Sequence, residues 1–192
     1  MEAEIPPEYP IEFVLDLRLG DGRMVHLRPI LPRDRRALAR AIALADPATL
    51  RARFLGWKPV IDDKMLHHLV EVDYRRRLAL VAIDQAGNGV AIARYEGTVK
   101  SDTAEFAMVV MPDWRGVGLG SALFILLAQA AVRRGIRRFY ASYLVDNEQV
   151  VRLLEASHLP CRTTVSDGVV EAELELCGPF QSFAQSSSMT PE

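Results

Sequence analysis

Apolar positions alternate with polar ones near both ends of the chain and recur at helical intervals between, a change of period that predicts strands enclosing helices. Ile11 to Leu19 and Arg23 to Ile30 read as strands around Gly20-Asp21-Gly22, whose glycines permit a tight hairpin turn. Pro29 and Pro32 stop the second strand. From Asp34, Ala37, Leu38, Ala41, Ile42, Leu44 and Ala45 follow helical spacing as far as Asp46-Pro47, where a second short helix can begin. A third helix is expected after Asp62-Asp63, with Met65, Leu66, Leu69 and Val70 on one side.

The period then changes to that of strands. Arg77 to Ile83 is a dense apolar run, Gly87-Asn88-Gly89 turns the chain, and Val90 to Val99 and Ala104 to Met111 follow. Such close spacing predicts an antiparallel meander. Leu119, Ala122, Leu123, Leu126, Leu127 and Ala130 mark the clearest helix, with Arg133 and Arg134 at its negative end and Gly135 as its cap. Phe139 to Leu144 predicts a strand and Asn147 to Ser157 a helix. In Val169 to Leu176, Val170, Ala172, Leu174 and Leu176 alternate with glutamates. Pairing it with Pro160 to Val165 through Ser166-Asp167-Gly168 sets Cys161 opposite Glu173, away from Cys177, so no disulfide is expected. The fold class is α+β: a mixed, mostly antiparallel central sheet of about seven strands flanked by helices. The chain divides into an N-terminal extension and first strand (1–22), a domain (23–178) and a Ser/Gln/Pro-rich tail (179–192) expected to be disordered.

Composition narrows the class. With 192 residues and 49% hydrophobic content, the chain suits one domain with a real core. No run of about 18 uncharged apolar residues suggests a membrane span. The acidic, proline-rich start lacks the basic and apolar regions of a secretory signal, and two cysteines are too few for a disulfide scaffold, so a reducing cytoplasmic setting is expected. No Cys/His cluster has metal-ligand spacing, so no metal is expected. A net charge of −2 argues against a nucleic-acid binder, but it conceals a gradient. Residues 23–77 hold 13 Lys/Arg against six acids, whereas both ends are acidic.

One segment carries candidate chemistry. Met111-Pro112-Asp113-Trp114-Arg115-Gly116-Val117-Gly118-Leu119-Gly120-Ser121 lies between a predicted strand and the long helix. Its three glycines let backbone amides converge, and the helix adds the partial positive charge of its N-terminus: together, a cradle for a pyrophosphate. The spacing is neither the dinucleotide fingerprint nor a Walker A loop. It resembles the Arg/Gln-x-x-Gly-x-Gly/Ala signature of the GNAT family of N-acetyltransferases, with Arg115, Gly118 and Gly120 at the signature positions.

The resemblance spans about Val25 to Leu176 and implies a GNAT fold with acetyl-CoA as cosubstrate. It places the amides of Met108, Val109 and Val110 against the pantetheine and thioester. It places those of Arg115, Gly116, Val117, Gly118, Leu119, Gly120 and Ser121 against the pyrophosphate. Asn147 falls where that family contacts the pantetheine arm; equally, it suits a helix N-cap. The chain is closer still to the acetyltransferase domain of bacterial protein lysine acetyltransferases. This shows in Leu27-Arg28-Pro29-Ile30, Arg53-Phe54, Val72-Asp73-Tyr74, Ala79-Leu80-Val81-Ala82, Ala93-Arg94-Tyr95 and Ala104-Glu105-Phe106-Ala107. That likeness makes Glu105 the general base; otherwise Glu105 is a solvated strand-end carboxylate. The tyrosine that many members use as acid is replaced by Leu154, with Tyr143 as a substitute or a packing residue. The usual Gly-Phe after that helix is His158-Leu159. His26 and His67-His68 show no partner pattern, and Arg75-Arg76-Arg77 reads as a solvated turn, or as an anchor for a 3′-phosphate or for an acidic protein patch. The implied acceptor is a protein lysine or a small amine. A non-catalytic acetyl-CoA sensor is the remaining alternative.

Overall fold

Leu15–Arg18 (β1) and Met24–Pro29 (β2) pair antiparallel, Leu15 opposite Leu27 and Arg18 opposite Met24. Gly22, at φ +88°, supplies the left-handed residue of their turn. They begin a computed structural model that describes residues 5–57, 60–97 and 101–176. The strand expected from Ile11 starts late because Ile11–Phe13 forms a 3-10 turn, in which the Phe13 amide donates to the Pro10 carbonyl at 3.1 Å. The turn sends the Phe13 ring into the core, worth about 1.5–3 kcal/mol.

Three helices follow on one face of the sheet: α1 (Arg35–Leu44), α2 (Pro47–Arg53) and α3 (Asp63–Val70). The Asp46 and Asp62 side chains cap α2 and α3 by accepting from the Thr49 and Met65 amides at 2.9 and 2.7 Å. Leu38 of α1 and Val70 of α3 pack on Ile30, Ala79, Val81 and Ile92. The meander is present as β3 (Arg77–Asp84), β4 (Gly89–Gly97) and β5 (Thr103–Val110), each antiparallel to the last. Then α4 (Leu119–Arg133) packs on the opposite face and ends before Gly135 at φ +80°. After it come β6 (Arg138–Leu144), α5 (Glu148–Ser157), β7 (Cys161–Ser166) and β8 (Val169–Glu175).

The sheet has eight strands rather than about seven, in the order β1-β2-β3-β4-β5-β6-β8-β7, because both terminal hairpins join it. Only the β5–β6 contact is parallel among the described strands. In the last hairpin Ser166 faces Val169, leaving two turn residues, Asp167 and Gly168, both at positive φ. This two-residue turn moves the register one step from the expected one: Cys161 lies opposite Leu174, and Arg162 takes Glu173. Cys161 is a free, exposed thiol. Cys177 and the tail expected over 179–192 lie outside the described residues. Beneath α4, Phe106 stacks on Phe139 at 5.5 Å and meets Phe124 edge-on at 5.3 Å, fixing β5, β6 and α4 in one aromatic cluster.

Candidate active site

The parallel contact is short. Thr103 pairs with Arg138, Ala104 with Phe139 and Glu105 with Tyr140, and there it ends. Beyond that point β6 follows β8 to Leu144 while β5 follows β4 to Val110. Glu105 therefore sits where the two strands part. The Met111 amide donates to the Val90 carbonyl of β4 at 3.0 Å. Strand amides alternate sides, so those of Ala107 and Val109 also face β4, and those of Met108 and Val110 face the gap. Two of the three amides assigned to the gap are turned toward it; that of Val109 is committed to the neighbouring strand.

The loop after β5 is shaped by one arginine and two left-handed glycines. Pro112–Trp114 makes a 3-10 turn that takes up the Arg115 amide through the Pro112 carbonyl at 3.2 Å. Arg115 instead uses its side chain: Nε donates to the Val110 carbonyl at 2.9 Å and Nη2 to Thr49 Oγ1 at 2.7 Å. It ties the end of β5 to α2. Gly116 and Gly118 lie at φ +73° and +89°, and a Cβ on either would meet open space. Among the described residues the amides of Gly116, Val117, Gly118, Leu119, Gly120 and Ser121 make no hydrogen bond. Unpaired donors at the positive end of a 15-residue helix suit a diphosphate. Gly120 has a different role, since a Cβ there would lie 3.6 Å from Met108 Sδ and 3.8 Å from Val110 Cγ2, at the contact of helix and strand.

The Glu105 carboxylate projects on the face that carries α1 to α3, directly opposite Glu96 of β4. Glu96 is heavily partnered: it accepts from Arg94 Nη2 at 3.0 Å and contacts His68 Nε2 at 3.2 Å, with Arg77 Nε at 3.3 Å. Arg94 is only 7% exposed, and its Nη1 has no partner among the described residues. Burial pushes the Arg53 guanidinium, at the end of α2, below its ordinary value while the Glu105 charge pulls it back. Burial does the same to Arg94 against Glu96. The base candidate thus stands exposed among arginines beside a neutralised second carboxylate.

Asn147 caps α5, its Oδ1 accepting from the Val150 amide at 3.3 Å. Leu154, in the place of the family's tyrosine, is buried, and Tyr143 is 6% exposed with its phenol pushed up by burial. Neither is a ready proton donor. Arg75, Arg76 and Arg77 wrap Asp73 through their amides, and Arg76 and Arg77 turn their guanidinium groups onto the Ser101 and Glu71 carbonyls. Those two are committed to the protein's own backbone. His26 and His68, expected to lack partners, have Asp16 at 2.8 Å and Glu96. Sequence reasoning missed the grouping of Arg53, Arg94, Glu96 and His68; its one local signal was two charges at alternate positions of an apolar strand. No His/Cys/Asp/Glu cluster among the described residues could hold a metal, and no described helix is long and apolar enough to cross a membrane.

Known proteins give this arrangement its context. The model of the acetyltransferase (GNAT) family matches residues 49–158. An acetyltransferase of Pseudomonas aeruginosa is 33% identical over 126 residues, 64% of this chain and 68% of that protein. The acetyltransferase Pat of Mycolicibacterium smegmatis is 31% identical over 144 residues, 73% of this chain but 43% of its own length. Among solved structures, the GNAT domain of S. lividans PAT matches with a TM-score of 0.79 at 29% identity, over 87% of this chain and 99% of that one. The chain belongs to the acetyltransferase (GNAT) family.

Proposed function

We propose that this member of the GNAT family moves an acetyl group from acetyl-CoA directly to a lysine ε-amine of a protein, with Glu105 as the general base. The observation that carries the reading is the position of Glu105 at the parting of β5 and β6, with the Met108 and Val110 amides turned into the gap beyond it. A lysine ammonium has an ordinary pKa of about 10.4 and must lose a proton before it attacks. Glu105 takes that proton, directly or through one water, for about 10²–10⁴-fold in rate. A Met108 or Val110 amide donates to the carbonyl oxygen as it gains charge. The new N–C bond forms, the C–S bond breaks, and coenzyme A leaves as a thiolate that takes up the second proton of the attacking nitrogen, so no phenol is needed at Leu154. The loop amides of residues 116–121 hold the diphosphate, and the Asn147 amide group, with its oxygen engaged in the cap, is free to meet the pantetheine arm.

Charge favours a protein acceptor over a polyamine. Arg53, Arg77 and Arg94 outnumber Glu96 and Glu105 around the base, which repels a small polycation. Trp57, 81% exposed just after α2, offers apolar contact of the kind a polypeptide uses. The test mixes the protein with acetyl-CoA and either lysine peptides or spermidine. Lysine turnover is expected, with Glu105→Gln reducing kcat by about 10²-fold or more while acetyl-CoA still raises the melting temperature. Turnover on spermidine alone, or an undiminished Glu105→Gln enzyme, overturns the reading.

A further inference from the structure

Arg94 is a guanidinium set into the sheet among small side chains. Its partners across the strands are Ala79 of β3 and Ala107 of β5, so its row offers it no polar side chain. Nη2 is bonded to Glu96, while Nη1 is closed from solvent and has no partner among the described residues. A buried cationic donor without an acceptor is costly. Glu96 does not supply the second bond, because its carboxylate is already shared with His68 Nε2 at 3.2 Å and Arg77 Nε at 3.3 Å.

Arg53, at the end of α2, is in a similar state. Its guanidinium lies over the Phe54 ring at 5.3 Å and makes no hydrogen bond or ion pair among the described residues. Glu105 acts on it through charge alone. The two guanidinium groups are near enough to repel: burial lowers the Arg94 pKa most, and the charges of Arg77 and Arg53 press it lower against the pull of Glu96. Three arginines thus share two carboxylates, and a further anion would balance them.

The register places this pair beside the base. Glu105 faces Glu96 and Arg94 faces Ala107, so Arg94 is the diagonal neighbour of Glu105, about 7–8 Å away along the sheet. On β6 and β8 the same face lies open, with Ser142 and Glu171 exposed and Tyr140 and Glu173 half-buried. A polypeptide lying on that open face meets Glu105 first and Arg94 one strand further in.

We propose that Arg94 and Arg53 form a carboxylate subsite beside the base, which takes the acidic side chain of a residue neighbouring the target lysine. This rests on lysine acetylation with Glu105 as the base. Arg94 Nη1 donates to one carboxylate oxygen, and Arg53, pinned by no hydrogen bond, turns onto the other. The subsite makes the acceptor a lysine within an acidic stretch of chain.

Steady-state turnover by the full chain with acetyl-CoA and peptides of a single central lysine, flanked by Glu or by Gln, tests it. The wild type is expected to show a kcat/KM about tenfold higher for the Glu-flanked peptide, with the difference in KM. Arg94→Gln and Arg53→Gln should each shrink that ratio toward unity. Arg94→Lys, which keeps the charge without the fork, should retain only part of it. Comparing the two peptides within one variant cancels any effect on Glu105, and Arg53, only half-buried, carries the test should the Arg94 variants fail to fold. Equal wild-type turnover of the two peptides, or a preference that survives both Gln variants, overturns the subsite and leaves lysine acetylation standing. A preference shown only by Nα-acetyl-lysine over its amide, and by no peptide pair, overturns the assignment to a protein side chain. Turnover of no lysine substrate overturns the acetylation reading and the subsite with it.

Discussion

Arg115 divides its work between backbone and side chain. The signature position suggested a loop amide for the diphosphate, yet that amide closes a 3-10 turn and the guanidinium bridges Val110 to Thr49. Thr49 is in turn bonded to Asp46 at the start of α2, so one side chain links the cradle to the helix that carries Arg53. Arg115→Ala is expected to cost about 2 kcal/mol, read from urea midpoints, because two charge-assisted bonds go and the Val110 carbonyl loses its partner. It should also blunt the thermal shift given by acetyl-CoA. Residues of this kind were half legible. Arg115, Gly118 and Gly120 stand out because their spacing is local. The purpose of the arginine was hidden, because its partner Thr49 lies in an element defined by quite different residues.

At the scale of elements, the start of α4 separates glycines that look alike in the sequence. Gly118 occupies the left-handed region at φ +89°, and Gly120 lies within the helix against β5. Gly118→Ala is expected to destabilise the ligand-free protein by about 1–2 kcal/mol through backbone strain alone. Gly120→Ala, whose new methyl meets Met108 and Val110 at ordinary contact distance, should cost less. Chemical denaturation of the two variants side by side checks the order. Most elements were legible because apolar periodicity is a property of each segment. What failed were details set between segments. The Ile11 start was overruled by burial of Phe13, and the Cys161 register was set by a two-residue turn. The grouping of Arg53 and Arg94 with Glu96 and Glu105 arises only when α2 is laid on β5, whose neighbour in the sheet is β4.

Across the whole molecule, the joint between β5 and β6 depends on charge as well as on hydrogen bonds within the sheet. The Asp102 carbonyl accepts from the Arg137 and Arg138 amides, and its carboxylate takes Arg138 Nη2 at 2.8 Å. That hydrogen bond holds the Asp102 carboxyl below its usual range, and the Thr49 hydroxyl does the same for Asp46. Both folded values lie below the unfolded value of about 3.9, so their contribution is complete above that pH and is lost as pH falls through the folded values. Urea midpoints measured downward from pH 6 should therefore drop below about pH 4, and Asp102→Asn should show a smaller drop than the wild type. Three residue pairs are a short weld for eight strands. Past Glu105 the sheet behaves as two leaves on a common spine, bearing on each other through Phe106 and Phe139 rather than through backbone. On the proposed reading, the amide-bearing arm of the cosubstrate laid between the leaves takes the place of a missing strand. On that reading the finished sheet belongs to the protein and its cosubstrate jointly, and each turnover removes and replaces one of its members.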